Sequence, residues 1–400
     1  MKKRIALFLC ACLAFSAVGC SAAPSNTGST ENTTAPNVII PNNTDTNQDS
    51  VVDISQPMHA IVMPTEEETT LAEDGTALFT LSYQKIQLLL NAVDTDDLIC
   101  ADLQNRIGNA LADASQLEGY AKEEYTGEDD WRSYFVDLTY TPTRLDKSVL
   151  SLFGNHYSYS GGSHPSLVTE SVTYDLTTGK ALTLGAILEE TCSGDDLQTL
   201  ISTALAPNSN KLSHNYEATL EDIFSVNLNF ITNWYFSRTG LCFHFSPYTI
   251  APYASGTIIA EIPYSQLSGI VKEQYLPAEQ TKATGSMYAE IFLEDDAERF
   301  TFIANIDLTR NGTQVLLYPD ANVTDVRIEA GNWSSDGANY IPVSTIFAAD
   351  VIGLGNAIVI QTDFSEESPV LRLNYRSDDQ EASAFITYDR EGDTIQLAHG

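Results

Sequence analysis

Between Phe243 and Leu267 the chain reads FHFSPYTIAPYASGTIIAEIPYSQL, and no other stretch restricts the fold as tightly. Phe243 and Phe245 alternate with His244, the period of a strand, so His244 is expected on the opposite face, towards solvent or a ligand. Pro247-Tyr248 and Pro252-Tyr253 then mark turns, because the proline ring fixes φ and stops a strand from continuing. Thr257 to Ile262 reads as a second strand, and Ser265 as the cap of a final helix through Leu267, Ile270 and Val271.

The residues upstream supply partners for these strands. Ile99, Leu103, Ile107, Leu111, Ala114 and Leu117 recur in steps of three and four, which predicts a helix over Asp97 to Tyr120. Alternation predicts strands within 76–90, 134–140, 150–159 and 167–175, with a hairpin turn at Thr178-Gly179, then a short strand over 181–184 and a helical turn over 186–190. Leu197, Leu200, Ile201, Ala204 and Leu205 give a second amphipathic helix over 195–206, stopped by Pro207. Ser-Arg-Thr-Gly, 237–240, separates strands at 233–236 and 241–245. Residues 76–277 therefore read as an α+β domain, one antiparallel sheet with helices on one face. The stretch PAEQTKATG, 277–285, lacks apolar periodicity and suggests a boundary. Residues 286–400 then read as eight short strands separated by turns such as Arg310-Asn311-Gly312 and Arg390-Glu391-Gly392-Asp393, an all-β immunoglobulin-like sandwich.

The N-terminus carries an address. Lys2, Lys3 and Arg4 precede an apolar stretch from Ile5 to Ala17, too short to span a bilayer, which closes on Ala17-Val18-Gly19-Cys20. This resembles a lipoprotein leader: residues 1–19 are a signal peptide, and Cys20 becomes the lipidated first residue on the extracellular face of the membrane. Residues 20–55 are Ser, Thr, Asn and Pro with almost nothing to bury, and are expected to be a disordered tether. No later segment approaches the roughly 18 continuous apolar residues of a spanning helix. The expected arrangement is thus anchored, with no cytoplasmic part to signal inward. About 345 residues follow the tether, more than one core usually holds.

The formal net charge is −34, which argues against nucleic acid and against direct docking on anionic lipid. The same surface would draw a cationic partner. After processing, Cys10 and Cys12 leave and only Cys100, Cys192 and Cys242 remain unmodified. An odd number without CxxC spacing permits one bridge or three free thiols.

The chemistry-bearing residues form no recognisable catalytic set. His59, His156, His164, His214, His244 and His399 make no HxxxH, HExxH or HxH cluster, and the acids make no DxDxDG loop, so neither a metal nor a cofactor is expected. Ser163 beside His164 is not a triad, which needs an orienting acid and an oxyanion hole, and the pair reads as a hydrogen-bonded loop. A glycosidase pair of carboxylates is a matter of spatial separation, on which the sequence is silent. Tyr157, Tyr159, Tyr248, Tyr253 and Tyr264 fall in the turn-rich motifs, either as a binding face or as braces for the turns.

Three motifs occur in a recognisable order: Tyr157-Ser158-Tyr159-Ser160-Gly161-Gly162-Ser163-His164-Pro165, then Ser171 to Lys180 (SVTYDLTTGK), then the run from Phe243. Over about 76–277 the chain resembles the RsiV-like extracellular domain family, shared by a lysozyme-sensing anti-sigma factor and a wall-associated deacetylase. The resemblance implies a non-catalytic module that binds lysozyme or another cationic wall-active protein. The binding face would comprise Tyr157, Tyr159, Ser163, His164, Pro165, Tyr248, Pro252, Tyr253 and Tyr264. Deacetylase chemistry is not implied, since that enzyme's metal-ligand motifs are lacking. The alternatives are an adaptor that stacks tyrosines on cell-wall glycan, and a hydrolase assembled from dispersed residues.

Overall fold

The computed structural model describes residues 59–89, 93–127, 130–277, 283–309, 312–365, 368–378 and 380–399. The expected signal peptide, lipidated Cys20 and tether lie outside these residues, as do 278–282 of the expected boundary and the Arg310-Asn311 pair.

The chain opens with β1 (Ala60–Val62), β2 (Thr65–Leu71), β3 (Ala77–Gln84) and β4 (Gln87–Leu89), followed by the long helix α1 (Val93–Glu124). Then come β5 (Tyr134–Leu145), β6 (Val149–Tyr159), β7 (Ser166–Asp175) and β8 (Lys180–Ala181). These strands build a six-stranded sheet in the order β2-β3-β5-β6-β7-β8. It is antiparallel except for β3 and β5, which run parallel because α1 makes the crossover between them. Along β5 every second residue, Tyr134, Val136, Leu138 and Tyr140, is buried. Their side of the sheet packs on α1 through Ile99, Leu103, Ala114 and Ala121. Each large side chain fully buried there contributes about 1.5–3 kcal/mol.

Next in the chain are α2 (Leu184–Ile187), α3 (Gly194–Leu205), α4 (Tyr216–Phe224), β9 (Trp234–Phe236), β10 (Gly240–Phe245) and β11 (Ile258–Pro263). Ser193 caps α3 in a reciprocal box with Asp196. The three strands form a separate sheet, β11-β10-β9. Leu197, Ile201, Leu205, Leu220 and Phe224 pack on its Phe243, Phe245, Ala260 and Ile262 side. Its opposite side lies on β6 and β7, where the Phe153 ring meets Tyr235 at 5.2 Å. The helices therefore do not share one face of one sheet, as the sequence suggested. α1 covers the larger sheet and α3 and α4 cover the smaller. The expected helix from Ser265 is also absent: Tyr264–Gln266 make one 3-10 turn, Gly269 turns the chain at φ +74, and Val271 bridges to Leu188.

The remaining strands are β12 (Met287–Ile291), β13 (Thr301–Asp307), β14 (Thr313–Pro319), β15 (Val323–Trp333), β16 (Tyr340–Ile352), β17 (Asn356–Thr362), β18 (Val370–Ser377), β19 (Gln380–Asp389) and β20 (Thr394–His399). A four-stranded sheet, β12-β14-β17-β13, faces a seven-stranded one, β20-β19-β18-β15-β16-β1-β4. Val315, Leu317, Ile358 and Ile360 from the first meet Val326, Ile328, Phe347, Leu373 and Ile386 from the second. Two features depart from the reading of eight local strands. β16, the longest strand, was not anticipated. β1, from the start of the chain, pairs with β16, and β4 pairs with β1 at the sheet's edge.

Candidate functional site

Two glycines shape the turn between β6 and β7. Gly161 and Gly162 hold φ of +85 and +98, a region L side chains avoid, and a Cβ on Gly161 would meet the Tyr134 hydroxyl at 2.9 Å. The Tyr159 hydroxyl donates to the Gly162 carbonyl at 3.1 Å and braces the turn from the sheet. The following residues, Ser163 and His164, are exposed.

The second loop, Ser246 to Gly256, is fastened beside this turn. Ser246 Oγ accepts the backbone N–H of Thr169 on β7 at 3.0 Å. Pro252 opens a 3-10 turn over Tyr253–Ser255 and accepts the Ser255 N–H at 2.9 Å. Tyr253 then reaches the first loop, donating its hydroxyl to the Pro165 carbonyl at 2.8 Å. Its ring stacks on His164 with centroids 4.2 Å apart. Tyr248 completes the group, 5.6 Å from the Tyr253 ring, and is 68% exposed.

Two details of this group bear on chemistry. Tyr248 has φ +71, a conformation that costs a non-glycine residue about 1–3 kcal/mol. Its backbone N–H bonds the Ala251 carbonyl at 3.0 Å, so the loop enforces that conformation. The His164 tautomer is also fixed. Nδ1 lies 2.8 Å from the Pro165 carbonyl, which can only accept, so Nδ1 carries the proton. Nε2 lies 3.4 Å from the Tyr248 hydroxyl. The result is a group of three rings, with His164 and Tyr248 exposed and Tyr253 half-buried, suited to receiving a cation against aromatic faces. The orienting partner of His164 is a carbonyl rather than the acid of a triad. Among the described residues, no group of three or more His, Cys, Asp or Glu side chains is placed to hold a metal ion.

Both Tyr248 and Tyr253 belong to the stretch of α3, α4 and the three-stranded sheet, and this stretch matches a known family model. Residues 194–265 form a DUF3298 domain. The family is described as a protein of unknown function. Among solved structures, the chain is similar to a DUF3298 family member from Bacteroides fragilis NCTC 9343, with 19% identity and a TM-score of 0.41, over 54% of this chain and 94% of that one. It is also similar to a DUF3298 family protein from Pseudomonas aeruginosa PAO1, with 16% identity and a TM-score of 0.39, over 55% of this chain and 97% of that one. No curated protein matches.

The ring cluster is thus split between the DUF3298 domain and the β6–β7 turn that lies against it. Of the residues put forward from sequence, His164, Pro165, Tyr248 and Tyr253 come together, with Pro252 and Ser163 in the same two loops. Tyr157 and Tyr159 form an adjoining row with Phe135, at 5.3 Å and 6.1 Å.

Tyr264 does not join them. Its hydroxyl donates to the Ser237 carbonyl at 2.7 Å and accepts from Arg144 Nη1 at 3.0 Å, so it braces a buried arginine. Burial pushes its hydroxyl up to about 12.

His244 corrects a second expectation. It does point away from Phe243 and Phe245, but that side of the DUF3298 sheet is covered by β6 and β7, and the residue is 2% exposed. Its ring lies 5.2 Å from Phe153 and bonds Thr169 and Ser171. Burial lowers its pKa to about 4, so it is neutral.

Proposed function

We propose that this chain is a non-catalytic binding protein displayed on the outer face of a membrane through Cys20, and that its partner is a cationic protein such as lysozyme or another wall-active protein. In this reading 76–277 is an RsiV-like domain, of which the DUF3298 stretch is a part, and 286–400 is an immunoglobulin-like body. The observation that carries the reading is the His164–Tyr248–Tyr253 cluster, with His164 and Tyr248 exposed and Tyr248 held at a strained φ, on a chain of net charge −34. Rigid, exposed tyrosines supply contact area at small entropic cost, and backbone strain concentrates where a surface has work to do. The acidic field would raise the on-rate of a basic partner.

The test is calorimetric titration of the full-length chain in mild detergent with lysozyme at rising salt. Binding at low ionic strength that weakens with salt is expected, because screening shortens the reach of surface charge. No heat at low salt would remove the reading. A second reading, in which the Tyr157 and Tyr159 rings stack on wall glycan, rests on the row they form with Phe135, in which Tyr157 is exposed and the other two are half-buried. It requires retention on insoluble wall material that persists at high salt.

A further inference from the structure

The side of the six-stranded sheet away from α1 is only partly covered. At one end β9 and β10 lie on it, through the Phe153–Tyr235 and Thr169–His244 contacts. Towards the other end the register places Glu67, Ser82, Asp137, Tyr157 and Leu167 in one row across five strands. Phe135 lies beside the row and its ring is 5.3 Å from Tyr157, which is 37% exposed.

Asp137 is the unusual member of this row. Its Oδ1 is shut off from solvent and has no hydrogen-bond partner. A carboxylate half-buried on a sheet normally finds an arginine, a lysine or a backbone N–H. Burial raises the pKa of Asp137, and the like charge of Glu67 raises it further. Both influences oppose its ionised form, and a cation placed between the two acids would reverse the second and offset the first. Glu67 and Asp137 stand two strands apart, so their backbones are about 10 Å from each other, which leaves room for a guanidinium between the carboxylates. The adjacent Phe135 and Tyr157 rings offer π faces to the same group.

We propose that this open end of the sheet is a docking site for a lysine or arginine side chain of a basic protein, received between the Asp137 and Glu67 carboxylates and the rings of Phe135 and Tyr157. The occupant is chosen by charge complementarity, since a neutral sugar hydroxyl would leave both carboxylates uncompensated. The site is continuous with the ring cluster: two residues along β6 from Tyr157, Tyr159 bonds the Gly162 carbonyl of the turn that carries His164. The assignment rests on the reading that the partner is cationic.

Calorimetry with the full-length chain in mild detergent at low ionic strength, using hen egg-white lysozyme and nona-arginine as separate probes, tests it. Asp137→Asn should weaken both at least tenfold and exposed Glu67→Gln about threefold, with Glu391→Gln as the remote, charge-matched control that changes neither. Asp137→Asn should also raise the melting temperature of the free chain, because it removes a charge the unliganded fold does not compensate. That gain separates lost docking from lost folding. Equal binding of nona-arginine by wild type and Asp137→Asn overturns the site, whatever lysozyme does. Asp137-dependent binding of nona-arginine without binding of lysozyme upholds the site and removes lysozyme as partner. Binding of neither probe overturns both.

Discussion

His244 and Thr169, 75 residues apart in the chain, meet between two sheets with Nδ1 and Oγ1 2.8 Å from each other. Ser171 holds the other side of the ring, with Oγ 2.9 Å from Nε2. The Ser171 hydroxyl has the Trp234 carbonyl as acceptor at 2.7 Å, so Nε2 donates to Ser171 and Nδ1 takes the Thr169 proton. The neutral imidazole therefore stitches the DUF3298 sheet to β7.

That stitch makes stability fall on mild acidification. His244 titrates near 4 in the fold against 6.5 when unfolded, so between those values the unfolded chain binds the extra proton. The stabilisation is whole above about 6.5 and is lost progressively as pH falls towards 4, a loss on the order of 3 kcal/mol. Carboxylates titrate in the same range, so the readout is a difference between proteins. Urea melts from pH 7.5 to 3.5 should show a steeper decline for wild type than for His244→Gln. Parallel curves would refute the assignment.

Tyr248 should be dispensable for folding and needed for binding. Glycine at this position relieves the φ +71 strain but adds unfolded-state entropy, and each effect is about 1 kcal/mol. Tyr248→Gly is therefore expected to leave the denaturation midpoint nearly unchanged and to weaken lysozyme at least tenfold. A large loss of stability would mean that the ring braces the loop instead of serving a partner.

Local patterns were legible in the sequence and their meetings were not. β5 could be read from its alternation because one side alone faces a core. β16 escaped because its stretch from Ser344 to Ala349 is buried on both sides and carries no alternation, and Pro342 near its start weakens the strand signal further. β2 escaped because TEEETTL offers no apolar face. The motifs around His164 and Tyr253 could each be found, but their stacking joins residues 89 positions apart, and no local period encodes that. His244 was assigned the correct side of its strand and the wrong surroundings, because a strand's period does not tell whether a second sheet covers its other face.

Cys242 should be chemically silent until the chain unfolds. It is 2% exposed, and burial together with the nearby Glu261 charge pushes its thiol up to about 12. At pH 8 roughly one molecule in ten thousand then carries the reactive thiolate. Cys100 and Cys192 are half-buried, and burial raises their thiols too. Alkylation followed by peptide mapping should label these two slowly, with Cys242 labelled only in denaturant. Labelling of Cys242 at the rate of Cys192 in the native protein would show that the sheet opens locally.

β1 should couple the two halves of the chain into one melting unit. It is three residues long, yet it serves two cores. Ala60 and Val62 pack with Val326, Phe347 and Ile358 between the seven- and four-stranded sheets. Ile61 faces the other way, with Met63, into the cluster of Ile99, Leu103, Tyr140 and Leu150 beneath α1. Ile61 is fully buried, so Ile61→Ala should cost about 3 kcal/mol through lost transfer energy and the cavity left behind. Because the strand also pairs with β16, that loss cannot be confined to the α1 side. Calorimetry should show the whole transition of wild type moving down together in the variant. For the same reason residues 283–400 expressed alone should lack a cooperative transition, since the seven-stranded sheet would end at an unpaired β16. A fragment that melts sharply by itself, or a variant with one shifted and one unshifted transition, would show that the two cores are independent despite the strand they share.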